Sequence, residues 1–344
     1  MATTKPVTSK EPDPSILFEQ LWAFGRTKAL QASLELKLYD ALASGPRTAR
    51  AVARSVKASE RGVRMLLDVL VSLDILAKKK DEYSLTPTAR AFLLTDSPMY
   101  FGHMLMHTEL IHQSWDSLVE TVKTGKPVRS VDQETFGREF FPRLVAALFP
   151  TSFGASSVAR LALPARARAR VKRVLDVAGG SAAWSLAWAA EDPEIHATVL
   201  DFGEVFDVAR GFVKKFGALD RYEFLEGNVR TTDFGKAVYD LVILGHICHS
   251  EGRKESARLI RKSARALRPG GMLLIGEFVP NDARTGPVNQ LLFGINMLVN
   301  TDVGDVFTLK EYREWMHAAG LTRVRKLNLG PKGPDVIVGE KAEA

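Results

Sequence analysis

His249 follows an apolar run, Asp240 to Leu244, that reads as a buried strand, so it stands at or just beyond that strand's carboxyl end. In an open α/β sheet this edge faces the ligand crevice. A free imidazole titrates near 6.5 and can take a proton from a phenol, near 10, when deprotonation accompanies attack. A second run, Val174-Leu175-Asp176-Val177, leads into Ala178-Gly179-Gly180-Ser181, which opens a helix. Glycines there let backbone approach a ligand, and a helix N-terminus offers free N–H groups. Asp201 closes the next strand, 25 residues after Asp176. That is near the spacing at which a carboxylate grips the ribose hydroxyls of an adenosine ligand. The turn is not the G-x-G-x-x-G of dinucleotide sites. Asp176 would repel a pyrophosphate but can hold the ammonium of an amino acid by a charge-assisted bond. The combination favours S-adenosylmethionine over NAD.

These residues need a sheet to hold them. From Val171 onward short apolar runs alternate with helical stretches. Strands are expected at Val174–Val177, Ala197–Leu200, Tyr222–Leu225, Tyr239–Leu244 and Met272–Gly276. Helices are expected at Ala182–Ala190, Val205–Phe216 and Arg253–Leu267, with Arg268-Pro269-Gly270-Gly271 a tight turn between helix and strand. The alternation predicts a Rossmann-like, doubly wound α/β sheet over residues 166–344.

The N-terminal part has a different texture. Residues 1–13 have no apolar run and read as a disordered tail. Residues 14–100 begin with helical spacing through Leu17, Leu21, Phe24, Leu30, Leu34 and Leu38, broken at Gly45-Pro46. Thr48 then opens a short helix, and Ser59 caps a second one running to Leu73. A basic turn at Lys78–Lys80 between two strand-like segments completes a winged-helix pattern. Lys57, Arg61 and Arg64 would serve a DNA-reading helix. Against that, Met65, Leu66, Leu67, Val69, Leu70 and Val71 make the second helix apolar over so much of its surface that burial against a partner copy is the better reading. Residues 101–165 read as a helical linker. Its aromatic, Met and His stripe, with Met104, His107 and Phe149, is either ordinary core or the wall of a pocket for a flat apolar ligand.

Taken together, VLDVAGGSAAWSLAWA, VLDF, EGNVR, DLVILGHICHS and ALRPGGMLLIGEFVP resemble the class I O-methyltransferases of the caffeate and acetylserotonin type. YSLTPTARAFL resembles that family's dimerisation domain. The resemblance implies a homodimer that methylates a phenolic or enolic hydroxyl of a small aromatic molecule. It implies that Asp176 and the Ala178, Gly179 and Gly180 backbone hold the methionine part of S-adenosylmethionine. Asp201 would bind ribose, Phe202 would flank adenine, and Gly227, Asn228 and Val229 would meet the adenine amino group. The Gly245 backbone would line the pocket, and Met297 and Asn300 would face the acceptor, with core packing the alternative for Met297. His249 matches the family's base and Glu277 an acid that orients it. The second acid falls in a loosely aligned stretch, where Asp305 is the candidate and Val306 would mean it is missing.

Departures from the family pattern are informative. Ala178 and Ala182 stand where glycine is usual, and positive φ at either would cost about 1–2 kcal/mol. Ser250 and Glu251 replace the Asp expected after His249, which alters a substrate contact. His246, Cys248 and His249 have spacing open to a metal, but the sequence shows no second cluster to complete one, so no metal is expected. N-, C- or carboxyl-methylation, a repurposed non-methylating site and a DNA-binding regulator are the alternative functions.

Composition limits the rest. The 344 residues carry a net charge of +7, 46% hydrophobic and 25% charged residues, and one cysteine, Cys248. That excludes an intrachain disulfide and fits a reducing cytoplasm. The excess charge is spread out apart from a local run at Arg166, Arg168, Arg170, Lys172 and Arg173, so nucleic acid is not an expected partner. No stretch approaches the roughly 18 uninterrupted apolar residues of a membrane span.

Overall fold

The computed structural model describes residues 12–130, 134–330 and 333–343, and gives the backbone alone for 106–112 and 134–140. The chain divides into two compact units, residues 1–106 and 107–344. The stretch 101–165 therefore forms no unit of its own, and most of it belongs to the second. The predicted tail falls almost wholly outside the described residues.

In the first unit Thr48 and Ser59 cap the helices Ala49–Ser55 and Glu60–Ser72, their hydroxyls accepting from the N–H of Ala51 and Gly62. Three short strands, β1 (Arg47–Thr48), β2 (Leu76–Lys79) and β3 (Glu82–Leu85), form an antiparallel sheet in the order β1-β3-β2. The helix Glu60–Ser72 turns Val63, Leu67 and Leu70 into its own unit's core, leaving Met65 and Val69 exposed. The apolar surface left uncovered lies instead on the first helix, Ser15–Glu35, where Ile16, Leu17, Phe18, Leu21, Trp22 and Phe24 are 60–69% exposed. Part of the Glu60–Ser72 helix's apolar side is thus taken up within its own unit, and Met65 and Val69 stay exposed on its surface.

The second unit is built on seven strands: β4 (Arg173–Val177), β5 (His196–Asp201), β6 (Tyr222–Glu226), β7 (Tyr239–Gly245), β8 (Leu267–Gly276), β9 (Leu321–Lys326) and β10 (Val336–Lys341). Their order is β6-β5-β4-β7-β8-β10-β9, parallel except for β10, which pairs antiparallel with both neighbours. Residues on alternate faces fill two layers. Leu175, Val242, Leu244, Leu273 and Ile275 pack towards the helices Cys248–Ala266 and Leu309–Ala318. Val174, Leu241, Ile243 and Leu274 pack with Trp184 and Trp188 of the helix Ala183–Ala189. Strand order reverses at β4, where a doubly wound sheet opens its ligand crevice at the carboxyl ends.

Two details depart from expectation. Arg268 to Gly271 is not a turn before the strand; it lies within β8, where the register against β7 slips between Tyr239 and Leu241 and Gly270 takes φ 75°. The helix predicted from Arg253 starts at Cys248, with a break at Gly252 (φ 71°). The long helix Glu134–Ala162 contains Phe141–Ala162, long and apolar enough to cross a membrane by length and composition (mean hydropathy 1.3). Its Ser156 hydroxyl is buried and donates to the carbonyl of Trp184, 2.7 Å away, which ties the helix to the protein's own core.

Candidate active site

The residues expected to hold the cofactor stand at the carboxyl ends of β4 and β5, and those expected to meet the acceptor at β7 and β8; the two groups are called the cofactor edge and the acceptor edge. On the first, the chain leaves β4 through three left-handed residues, Ala178 (φ 52°), Gly180 (φ 55°) and Ala182 (φ 59°). The turn thus imposes positive φ on both alanines, at about 1–2 kcal/mol each. A Cβ on Gly179 would lie 2.8 Å from Val199 and 3.0 Å from the carboxyl carbon of Asp176, so only glycine lets the turn sit this close to the strands.

Asp176 lies beneath that turn, fully buried. Its Oδ2 accepts from the Ser185 N–H at 2.9 Å, pinning the first turn of the helix, and its Oδ1 has no hydrogen-bond partner among the described residues. Burial pushes its carboxyl up to about 7 against the pull of the Ser185 bonds. A buried, unpartnered carboxylate oxygen under a glycine turn suits a cationic ligand group. Asp201, at the end of β5, accepts from Gly180 N–H and Phe202 N–H, both at 2.7 Å. Burial raises it to about 6, with those two bonds opposing. Each oxygen keeps a further lone pair for a hydroxyl. Phe202 beside it is 51% exposed, a free aromatic face at the rim. Asn228 follows Gly227 after β6, exposed, and its Oδ1 closes a turn onto Arg230 N–H at 2.8 Å. The Val229 carbonyl is held by Lys262 Nζ at 2.7 Å.

On the acceptor edge, His249 and Glu277 come together from segments 28 residues apart. His249 Nδ1 is 2.7 Å from Glu277 Oε2, and Glu277 Oε1 accepts the His249 backbone N–H at 3.1 Å. Burial alone would raise the Glu277 carboxyl; the imidazole of His249, by charge and hydrogen bond, brings it below its ordinary value. A carboxylate on Nδ1 places the proton there and leaves Nε2 with a lone pair. Aromatic rings surround this pair. Phe293, on the helix Val288–Asn300, meets the His249 ring edge-on at 4.9 Å and stacks on Phe278 at 3.7 Å. Trp184 lies across the ends of β7 and β8: a Cβ on Gly245 or Gly276 would fall 2.4 or 2.2 Å from its indole. His246, in a left-handed conformation (φ 61°), sits beside Trp184, and burial lowers its imidazole to about 4, which keeps it neutral.

Several expected residues stand elsewhere. Asp305 offers His249 its backbone N–H, 2.9 Å from the His249 carbonyl, but its side chain is 53% exposed and faces Arg284 at 3.9 Å. Val306 points inward, buried, so no second acid reaches the imidazole from this loop. Phe149 is 1% exposed and stacked 3.7 Å from Phe212 beneath the sheet's cofactor side; it is core, not pocket wall. Glu251 is engaged by Arg230 at 2.6 Å. Met297 is buried, with its Cβ against the Gly304 loop, whereas Asn300 is half-buried and donates to Asn296. Met104 belongs to the first unit, and the side chain of His107 lies outside the described residues. Phe278, Phe293, Trp184 and the Trp115–Asn296 hydrogen bond (3.1 Å) carried no sequence signal beyond being apolar or amide residues. Gly245 and Gly276, each closing a strand, were the one trace of the indole laid over them.

Comparison with known proteins gives the family. The O-methyltransferase domain profile matches residues 115–322, and that of the O-methyltransferase dimerisation domain matches residues 18–95. The chain is 28% identical to the 3-hydroxy-5-methyl-1-naphthoate 3-O-methyltransferase of Streptomyces sahachiroi, across 96% of both chains. It is 28% identical to mouse acetylserotonin O-methyltransferase, across 94% of this chain and 87% of the relative. Among solved structures, PigF with SAH superimposes with a TM-score of 0.77 at 26% identity, covering 96% of this chain and all of that one; PigF is a Serratia methyltransferase. The mostly parallel seven-stranded sheet is the class I methyltransferase fold. The chain belongs to the O-methyltransferase family and is an enzyme of that family.

Proposed function

We propose that this enzyme transfers a methyl group from S-adenosylmethionine to a phenolic or enolic oxygen of a small aromatic molecule, with His249 as general base and no metal in the step. The observation that carries the reading is the His249–Glu277 pair beside an aromatic wall, on the same sheet edge as the Asp176–Asp201 turn. S-Adenosylmethionine, the cofactor used across this family, supplies when bound a methyl on a sulfonium that is already an activated leaving group.

The residues present suit that cofactor. Asp176 Oδ1 has the charge and the missing partner for an ammonium, Asp201 has lone pairs for ribose hydroxyls, and exposed Phe202 can cover adenine. The Gly179–Gly180 backbone gives room for close approach. At the acceptor edge Phe293 and Phe278 offer flat surface against an aromatic ring and exclude water. Asn300, half-buried on the same helix, lines the acceptor side. Glu277 holds the proton on His249 Nδ1, so Nε2 takes the hydroxyl proton as oxygen attacks. Alignment and this single proton transfer are what the protein must add.

We further propose that the active form is a homodimer. The dimerisation profile covers the first unit, and the helix Ser15–Glu35 exposes a row of large apolar side chains that a second copy would cover. With its sole cysteine buried and free, the enzyme is assigned to the reducing cytoplasm.

The test is to incubate the purified protein with S-adenosylmethionine and a panel of phenols, hydroxynaphthoates and aliphatic alcohols. A mass gain of about 14 Da on a phenol, matched by S-adenosylhomocysteine release, is expected. Release without product methylation, or gain only on amines, would replace the reading with a different acceptor chemistry.

A further inference from the structure

The acceptor edge holds a third polar group that methyl transfer does not use. His246, His249 and Glu277 bring ligand atoms within 4.8 Å of one another. The sequence offered two histidines without a carboxylate to complete them; the fold supplies Glu277 from the end of β8. The His246 backbone is fixed by its N–H on the Gly276 carbonyl at 2.9 Å, and its ring is held between Trp184 and Phe278, with centroids at 5.7 and 5.5 Å. Its Nδ1 is buried with no hydrogen-bond partner among the described residues. A buried polar nitrogen without a partner calls for an explanation.

Two imidazoles and one carboxylate are the donor set of open zinc sites, and borderline-soft divalent ions prefer it to magnesium or calcium. Three atoms no more than 4.8 Å apart leave a point within about 2.8 Å of all of them, so small rotamer changes reach zinc's 2.0–2.2 Å. We propose that His246, His249 and Glu277 form a zinc-binding site superposed on the catalytic pair, and that its occupancy switches the base off.

The switch follows from the lone pairs. If zinc binds His249 through Nε2, the lone pair that would take the acceptor's proton is used. If zinc binds through Nδ1, it displaces the proton shared with Glu277, and the neutral ring carries that proton on Nε2 instead. In either case no proton is accepted. Zinc is bound and released without redox change, so a chelator reverses the effect. The inhibitory consequence rests on His249 being the base; the binding does not.

The experiment uses the untagged full chain. Zinc is titrated by calorimetry and Co²⁺ by visible absorption, both without cofactor or acceptor. One ion per chain is expected, weakened at least roughly 10–100-fold in His246→Phe, which keeps an aromatic ring in the slot, and in Glu277→Gln. Thermal melting of each variant verifies folding, and zinc should raise the melting temperature of the native chain alone. Binding unchanged in both folded variants, or no saturable binding, overturns the site. On a phenol that the native enzyme methylates, zinc should suppress transfer and EDTA restore it. Saturable zinc with undiminished transfer would refute the switch and, with it, His249 as the base.

Discussion

The two edges of the crevice are built in opposite ways. The cofactor edge is mostly local: Asp176, the left-handed turn and the helix Ala183–Ala189 are consecutive, Asp201 and Phe202 arrive from the next strand and Gly227 and Asn228 from the one after. The acceptor edge is assembled from distant segments, with His249 after β7, Glu277 after β8, Phe293 from the helix Val288–Asn300 and Trp184 from across the sheet. The local edge stores strain in backbone dihedrals and in a buried carboxyl. The assembled edge has the His249 imidazole held by a carboxylate and its shape set by ring packing. Substitutions at the acceptor edge should therefore act on turnover, and those at the cofactor edge on affinity, protonation and stability.

The largest effect is expected from His249→Ala, which should lower turnover by roughly 10²–10⁴-fold while cofactor affinity, read by calorimetry, stays within about twofold. Equal loss of both would erase the division between the edges. Glu277→Gln should cost less, roughly 10–10²-fold, because the amide keeps the shape but no longer holds the imidazole in one tautomer.

At the cofactor edge the sign of pH dependence is set by Asp176, raised from 3.8 to about 7. The folded chain binds this proton more tightly than the unfolded one, so the stability contribution is largest below about pH 4 and is lost as pH rises to about 7. A ligand ammonium placed at Oδ1 favours the ionised form. Cofactor binding at pH 6 should then release protons, seen as a binding heat that depends on buffer ionisation enthalpy, and Asp176→Asn should reduce it to the part that Asp201, raised to about 6, contributes. Binding heat independent of buffer at pH 6 would detach Asp176 from the ligand.

Smaller still, Ala182→Gly should stabilise the chain by about 0.5–1 kcal/mol, since relief of the left-handed Cβ slightly exceeds the added chain entropy. A lower melting temperature would show that the methyl group's packing outweighs the strain. Least of all, Asp305→Ala should change turnover by less than about fivefold, as befits an exposed ion pair worth ~1 kcal/mol. A loss comparable to that of Glu277→Gln would restore Asp305 to the site.

The same contrast explains what could be read from sequence. Four strands of the main sheet, β4, β5, β7 and β8, show as short apolar runs because both faces are buried, and half-buried β6 at the edge shows through Phe224 and Leu225. The missed pair, β9 and β10, is edge or antiparallel, and β9 carries exposed Thr322 and Arg323 on opposite faces, which breaks the apolar run. The turn at Ala178–Gly180 was legible because glycine and small residues mark tight backbone. His249 and Glu277 were legible through strand ends and family resemblance. Phe278, Phe293 and Trp184 were not, since a side chain that shapes a pocket looks in sequence like any core aromatic. Asp305 and Phe149 were misplaced for the complementary reason. An acid one residue from an inward-facing Val306 turns to solvent, and a phenylalanine in an apolar stripe packs wherever the nearest ring is, here Phe212.

On the reading proposed, one crevice places an adenosine sulfonium on the Asp176–Asp201 edge and an acceptor oxygen beside the free nitrogen of His249. A crystal structure with S-adenosylhomocysteine and a methylatable phenol tests it directly. Ribose hydroxyls are expected on Asp201 and the phenol oxygen within hydrogen-bond distance of His249 Nε2, about 2.6–3.2 Å. A phenol bound with its oxygen beyond reach of that nitrogen, or a nucleoside seated away from Asp201, would contradict it.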